Sequence, residues 1–219
     1  MSSAVMDLAW GLLGLALGLG VVAISPWLEQ QEGLESVVRS WRDWQRWGPP
    51  LLCAVLFALF AARDGQTRMP LLLAQSLWLV VMVQVIFFDL EHHLILDRIL
   101  LPAAVLALAL SPFIPGLGWK RALLAGLVAG GVFLGLVLVG RLIYKADVLG
   151  LGDAKFVILS GFILGPLAVF DAIVTGMVLA GLISLLLIVI RVRGRRDVIA
   201  YAPYLALGTL LAMYRFGGA

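Results

Sequence analysis

Charged residues are scarce in this chain. Asp, Glu, Lys and Arg together make up 13% of its 219 residues, whereas hydrophobic residues make up 63%. Soluble domains carry about a quarter charged residues, so this composition excludes an ordinary soluble protein and makes the lipid bilayer the expected partner. The formal net charge of +3 is not that of a nucleic-acid-binding protein, and no nucleic-acid partner is predicted.

Cysteine is almost absent as well. Cys53 is the single cysteine of the chain, and it lies inside an apolar run. One cysteine cannot form an internal disulfide or a multi-cysteine zinc site. We interpret Cys53 as a small core residue.

Long uncharged runs are what the sequence has in abundance, and each is a candidate transmembrane helix. They cover residues 8–28, 47–62, 69–88, 99–119, 122–140, 156–170, 172–190 and 198–214. The first run is longer than the apolar part of a signal peptide, so we expect it to be retained. The runs predict an all-α membrane protein, a polytopic bundle of about eight transmembrane helices that forms one domain over residues 1–219. Pro102, Pro112 and Pro115 are expected to kink or end the fourth span.

Residues 29–46 have a different pattern. Apolar residues, including Trp41 and Trp44, recur at helical spacing, and Arg39, Arg42 and Arg46 occupy another face. This pattern is typical of an amphipathic helix that lies in the membrane interface, with tryptophans at headgroup depth. We predict a cytoplasmic interfacial helix here; a solvated amphipathic loop is the alternative.

Two aspartates stand at the boundaries of apolar runs. Asp89 directly follows the run that ends at Phe88, and Asp153 shortly precedes the run that begins at Phe156. Two predicted spans separate them, so both face the same aqueous compartment. With eight spans the segments on that side carry 11 Lys and Arg residues against 5 on the other, which indicates the cytoplasm.

These two carboxyl groups could form a catalytic pair. Two close carboxyls share one proton, so one of them can activate water while the other polarises a peptide carbonyl. Gly150 and Gly152 have no side chains, which would let a substrate backbone pass close to Asp153. Position alone leaves other readings open: both aspartates could be loop residues, or Asp153 could cap a helix.

Lys155, Asp97 and the cluster at residues 91–93 are polar neighbours of the pair, and each has more than one interpretation. Lys155 either stabilises the Asp153 carboxylate or binds substrate, or it is a topogenic charge. Asp97 either tunes the pair or binds a basic leader, or it is a solvated loop acid. Glu91 stands beside His92 and His93, the only histidines of the chain. Because a third histidine is missing, we interpret this cluster as a polar loop that helps to hold Asp89, and predict no metal and no cofactor.

Three motifs in order resemble the type 4 prepilin peptidase family, membrane aspartyl proteases with a Gly-x-Gly-Asp motif. They are Phe-Asp-Leu-Glu-His-His-Leu-Ile-Leu-Asp-Arg at 88–98, Gly-Leu-Gly-Asp-Ala-Lys at 150–155 and Ala-Pro-Tyr-Leu-Ala-Leu-Gly at 202–208. The resemblance covers roughly residues 70–210. It implies that Asp89 and Asp153 are catalytic. It also implies cleavage of the basic leader of type IV prepilins or secretion pseudopilins at the cytoplasmic face of the bacterial inner membrane.

The chain departs from that family in two places. Leu96 stands where the family has proline before the second aspartate of its first motif. Residues 29–46 lack the paired Cys-x-x-Cys sequences that hold zinc in many members and accompany methylation, so we predict a peptidase without N-methyltransferase activity. Two other functions are possible for the same sequence. One is a proton-coupled or cation transporter that relays charge through the same aspartates. The other is a catalytically inactive membrane scaffold of a pilus or secretion assembly.

Overall fold

All regular elements in the described part of the chain are helical. The structure, a computed structural model, describes residues 3–35, 43–64, 68–144, 150–191 and 200–217. Its α-helices are α1 Ser3–Gln31, α2 Trp44–Asp64, α3 Met69–His92, α4 Asp97–Leu110, α5 Gly118–Tyr144, α6 Leu151–Leu164, α7 Pro166–Val189 and α8 Ala202–Phe216. A single 3-10 turn, Ser111–Phe113, follows α4. The predicted all-α class is confirmed.

In the described part of the chain, five helices are long and apolar enough to cross a membrane, namely α1, α2, α3, α5 and α7. The other three, α4, α6 and α8, have 14, 14 and 15 residues. At about 1.5 Å per residue they extend roughly 21 to 23 Å, less than the hydrocarbon thickness of about 30 Å. The protein is thus an α-helical membrane protein, while the count of eight spans stays a prediction.

Helix boundaries follow glycine and proline more closely than charge. As expected, α4 ends before Pro112, because proline cannot donate a helical hydrogen bond. The boundary between the sixth and seventh runs, placed at Asp171 in the sequence, was wrong. Gly165 adopts φ 77°, which favours glycine, and Pro166 begins α7, so the break lies there and Asp171 is inside α7.

The predicted interfacial segment is only partly described. Residues 29–31 belong to the end of α1 and residues 44–46 to the start of α2. Residues 36–42, which carry most of the predicted amphipathic pattern, lie outside the described residues. The interfacial helix therefore stays a prediction.

The chain forms two compact units, Met1–Phe88 and Asp89–Ala219. In the first unit, α1 and α2 pack closely through glycine: a Cβ added at Gly14 would lie 2.6 Å from the carbonyl oxygen of Cys53. Trp10 Nε1 of α1 donates to Ser76 Oγ of α3 at 2.9 Å. Small residues that let helices approach and polar residues that join them are the usual contacts between helices in membranes.

In the second unit, α6 contacts α4, α5, α7 and α8. Glycines bring these helices together. A Cβ at Gly161 of α6 would lie 2.5 Å from the Cα of Gly126 in α5, and one at Gly208 of α8 would lie 2.8 Å from the backbone nitrogen of Gly176 in α7. α6, whose first turn contains Asp153, therefore packs within a framework of four helices.

Candidate active site

Asp89 lies in the last turn of α3. Its carbonyl oxygen accepts the backbone N–H of His93 at 2.9 Å, and His93 adopts φ 52°, which ends the helix. The side chain is buried, with 5% of its surface exposed. Its carboxyl accepts a hydrogen bond from the backbone N–H of Ala202, the first residue of α8. Among the described residues, Asp89 Oδ2 has no hydrogen-bond partner, which leaves one buried oxygen for a water or substrate group.

Asp153 is the third residue of α6. Gly150 precedes the helix with extended backbone angles, and its N–H donates to Asp153 Oδ2 at 3.1 Å. This bond is half of a capping box, the arrangement in which an acidic third residue reaches back to the helix start. Asp153 is buried, with 8% of its surface exposed. The N-cap of α6 is therefore Gly150 and not Asp153, but the buried Asp153 carboxyl accepts the N–H of that N-cap residue.

The two carboxyl groups are close enough to interact electrostatically. Burial raises the pKa of Asp153 from 3.8 to about 6; the Gly150 N–H opposes this change and the charge of Asp89 adds to it. Desolvation and a like charge both disfavour a second ionised carboxylate. Asp153 can therefore hold or release a proton close to neutral pH, as general acid–base chemistry requires.

The start of α8 also belongs to this site. Besides the bond from Ala202 to Asp89, burial and the charge of Asp153 raise the pKa of Tyr201 to about 12, so its phenol stays a hydrogen-bond donor. The Tyr201 ring lies 6.3 Å from that of Phe133, centroid to centroid. Neither Tyr201 nor Ala202 was assigned a role from the sequence, although the motif at 202–208 was the signal that could have found them.

The two glycines of the motif are tightly surrounded. A Cβ at Gly152 would lie 3.1 Å from the Cβ of Ile95, in the segment between α3 and α4. A Cβ at Gly150 would lie 3.3 Å from Asp153 Oδ2. Glycine at 152 thus permits the close approach of the α3–α4 segment to α6. The predicted passage of a substrate backbone at these glycines stays a prediction.

The structure pairs Lys155 with Asp97. Lys155 Nζ and Asp97 Oδ2 lie 2.6 Å apart, and about half of each side chain is exposed. Glu91 lies at the end of α3, where its Oε2 is 3.8 Å from His92 Nε2. The roles predicted for Asp97 and Lys155 in tuning the pair or binding substrate, and for Glu91 in holding Asp89, stay predictions. Asp97 and Lys155 belong to the two motifs that contain the aspartates.

Asp171 lies away from this pair of motifs. It follows the C-terminal end of α6, whereas Asp153 lies in the first turn of that helix. Its Oδ2 is 3.4 Å from Arg215 Nη1 of α8. Because this ion pair lies in another part of the same unit, it is a useful control for substitutions at the two motifs.

Comparison with known proteins identifies the family. Searches of curated proteins and of solved structures gave no match. A model of the type IV leader peptidase family matches residues 73–190, more than half of the chain, and this range includes both Asp89 and Asp153. The prediction from the sequence motifs is thereby confirmed, and the chain belongs to the type IV leader peptidase family.

Proposed function

We propose that this protein is an aspartic-type endopeptidase that removes the basic leader from type IV prepilins or pseudopilins. One observation carries the proposal: Asp89 and Asp153, 64 residues apart in sequence, are both buried, and the charge of Asp89 contributes to the raised pKa of Asp153. Membership of the leader peptidase family supports hydrolysis of a peptide bond. A pair of carboxyls that share a proton can hydrolyse it without a covalent intermediate.

In the proposed mechanism the two aspartates divide the acid and base roles. The ionised carboxylate takes a proton from a water molecule, whose oxygen attacks the peptide carbonyl carbon. The protonated carboxyl donates to the carbonyl oxygen and stabilises its developing negative charge. The proton taken from water then passes to the amide nitrogen, the C–N bond breaks as the carbonyl re-forms, and the former carbonyl oxygen returns its proton to the second carboxyl. Backbone bonds from Gly150 and Ala202 orient the two carboxyls for these steps, and either aspartate can serve as the base.

The proposed position of the reaction is the cytoplasmic face of the inner membrane. The coupling between Asp89 and Asp153 supports one face for both, whatever the number of spans. The bias of 11 to 5 in basic residues, counted for eight spans, supports the cytoplasm as that side. The substrate would be a short basic leader joined to an apolar helix, which must unwind at the cut because helical hydrogen bonds shield its carbonyl groups.

Cleavage without methylation is the proposed extent of the activity. Cys53 is the single cysteine, so a zinc site made of paired Cys-x-x-Cys sequences cannot be assembled from this chain. We therefore expect a cleaved product whose new N-terminus is unmodified.

The test is cleavage of a detergent-solubilised prepilin, followed as a mass shift. The wild-type chain, Asp89→Asn and Asp153→Asn are compared, with and without a metal chelator. Asp171→Asn is the matched control, because it removes a carboxylate whose contact is with Arg215. We expect cleavage by the wild type and by Asp171→Asn, no cleavage by the other two variants, and no effect of chelator.

Each alternative predicts a different result. Cleavage by both Asp89→Asn and Asp153→Asn would refute the catalytic pair. Loss of cleavage on chelation would refute a metal-free mechanism. Absence of cleavage by a folded wild-type chain, across several prepilins, would favour the scaffold or transporter reading. A mass increase of the product by a methyl group would contradict the peptidase-only assignment.

A further inference from the structure

Two contacts join the segments that carry the aspartates. The last turn of α3, which contains Asp89, is followed by residues 93–96 and then by Asp97, the first residue of α4. Ile95 of this segment lies against Gly152, so close that a Cβ there would be 3.1 Å away. Asp97 Oδ2 then lies 2.6 Å from Lys155 Nζ. The two contacts lie on either side of Asp153 in the sequence of α6.

The ion pair between Asp97 and Lys155 is not explained by stability alone. An ion pair between side chains that are about half exposed contributes little to folding free energy. Lys155 is the fifth residue of α6, where it gains nothing from the helix dipole, which favours cations at the C-terminal end of a helix. A specific contact with Asp97, in the first turn of α4, explains why a lysine occupies this position.

We propose that Asp97 and Lys155 are positioning residues for the catalytic pair. Their ion pair, together with the contact of Ile95 on Gly152, holds the segment after Asp89 against the first turn of α6 and so sets the separation of the two carboxyl groups. Neither residue needs to touch the scissile bond. The inference rests on the proposed function, because the separation matters only if the two carboxyls act together.

The separation controls how the pair titrates. Two carboxylates that move apart repel each other less, so the second proton is lost more easily. The alkaline side of the pH–rate profile then moves to lower pH. Misplacement of a reacting group by about 1 Å can lower the rate by about 100-fold. Loss of the ion pair should therefore lower kcat more than it raises KM.

The test compares Lys155→Met, Asp97→Asn and the exchanged double variant Asp97→Lys/Lys155→Asp in the full-length chain. The substrate is a peptide with a basic leader and an apolar helix. Asp171→Asn and Arg215→Met are the matched controls, since they break an ion pair at 3.4 Å elsewhere in the same unit. We expect about a 10- to 100-fold loss of kcat in each single variant at positions 97 and 155, recovery in the double variant, and unchanged controls.

The direction of the pH shift separates positioning from a direct charge effect. If the pair positions the carboxyls, both single variants move the alkaline limb to lower pH. If each residue acts through its own charge, Lys155→Met moves the limb to higher pH because a cation is lost, and Asp97→Asn moves it to lower pH because an anion is lost. Opposite shifts, or a double variant no better than the singles, would overturn the proposal.

A second measurement does not depend on cleavage. Infrared titration of the Asp153 carboxyl, with and without Asp89→Asn, measures the coupling of the two groups. We expect Asp89→Asn to lower the pKa of Asp153 in the wild-type background and to lower it less in the Lys155→Met background. Equal lowering in both would overturn the positioning role. If the wild type cuts no prepilin while Lys155→Met weakens this coupling, the proposed function fails and the positioning inference stands.

Discussion

Replacement of Asp153 by asparagine should stabilise the fold while it abolishes cleavage. The Asp153 carboxyl is buried, with 8% of its surface exposed, and lies outside the five candidate spans. Asparagine has nearly the same shape, and its side-chain oxygen can still accept the Gly150 N–H that Asp153 now accepts at 3.1 Å. The substitution therefore removes a buried negative charge and keeps the hydrogen bond that caps α6.

The magnitude follows from the pKa of Asp153. Because burial raises that pKa from 3.8 to about 6, folding favours the protonated carboxyl. Stability is then highest below pH 3.8, falls as the pH rises through about 6, and stays lower above it. The difference between the two pKa values corresponds to about 3 kcal/mol. Asparagine does not titrate, so Asp153→Asn should be more stable than the wild type by up to about 3 kcal/mol at pH 8.

Unfolding in detergent, followed by helical circular dichroism at pH 4 and pH 8, measures this effect. We expect the stabilisation by Asp153→Asn to be large at pH 8 and to vanish near pH 4, where the wild-type carboxyl becomes protonated as well. Asp171→Asn is the control, because its carboxylate lies near Arg215 and should not show this gain. Equal stabilisation at both pH values, or destabilisation at pH 8, would refute the reasoning from burial.

Two further predictions concern glycines. Gly208→Ala should lower the free energy of unfolding by about 1 to 3 kcal/mol, because overpacking at a helix contact cannot relax. The added Cβ would lie 2.8 Å from the backbone nitrogen of Gly176. Thermal unfolding measures the effect, and an unchanged stability would contradict this packing. Gly131→Ala is its control, with nothing described within 4 Å. Gly152→Ala should lower the rate of prepilin cleavage per folded molecule, because its Cβ would push against Ile95, 3.1 Å away. A fall in cleavage that only matches the loss of folded protein would show a purely structural effect.

The helical membrane fold follows from the sequence by local physics. A run of uncharged residues in lipid must satisfy its backbone hydrogen bonds within itself, so each run becomes a helix. The same reasoning placed Asp89 and Asp153 at run boundaries, and both lie in end turns of helices. The break between α6 and α7 was misplaced because one charge at Asp171 was given more weight than the backbone preferences of Gly165 and Pro166.

The assembly of the site was decided by tertiary structure. The motifs predicted Asp89 and Asp153 as the catalytic pair, but they did not predict the N–H of Ala202 on one carboxyl or the phenol of Tyr201 near the other. It also could not show which partner Lys155 takes. Hydropathy and motif spacing report on neighbours along the chain, whereas these contacts join residues dozens of positions apart. They depend on how closely the helices pack, which side-chain shape determines and a pattern of apolar and polar residues does not encode.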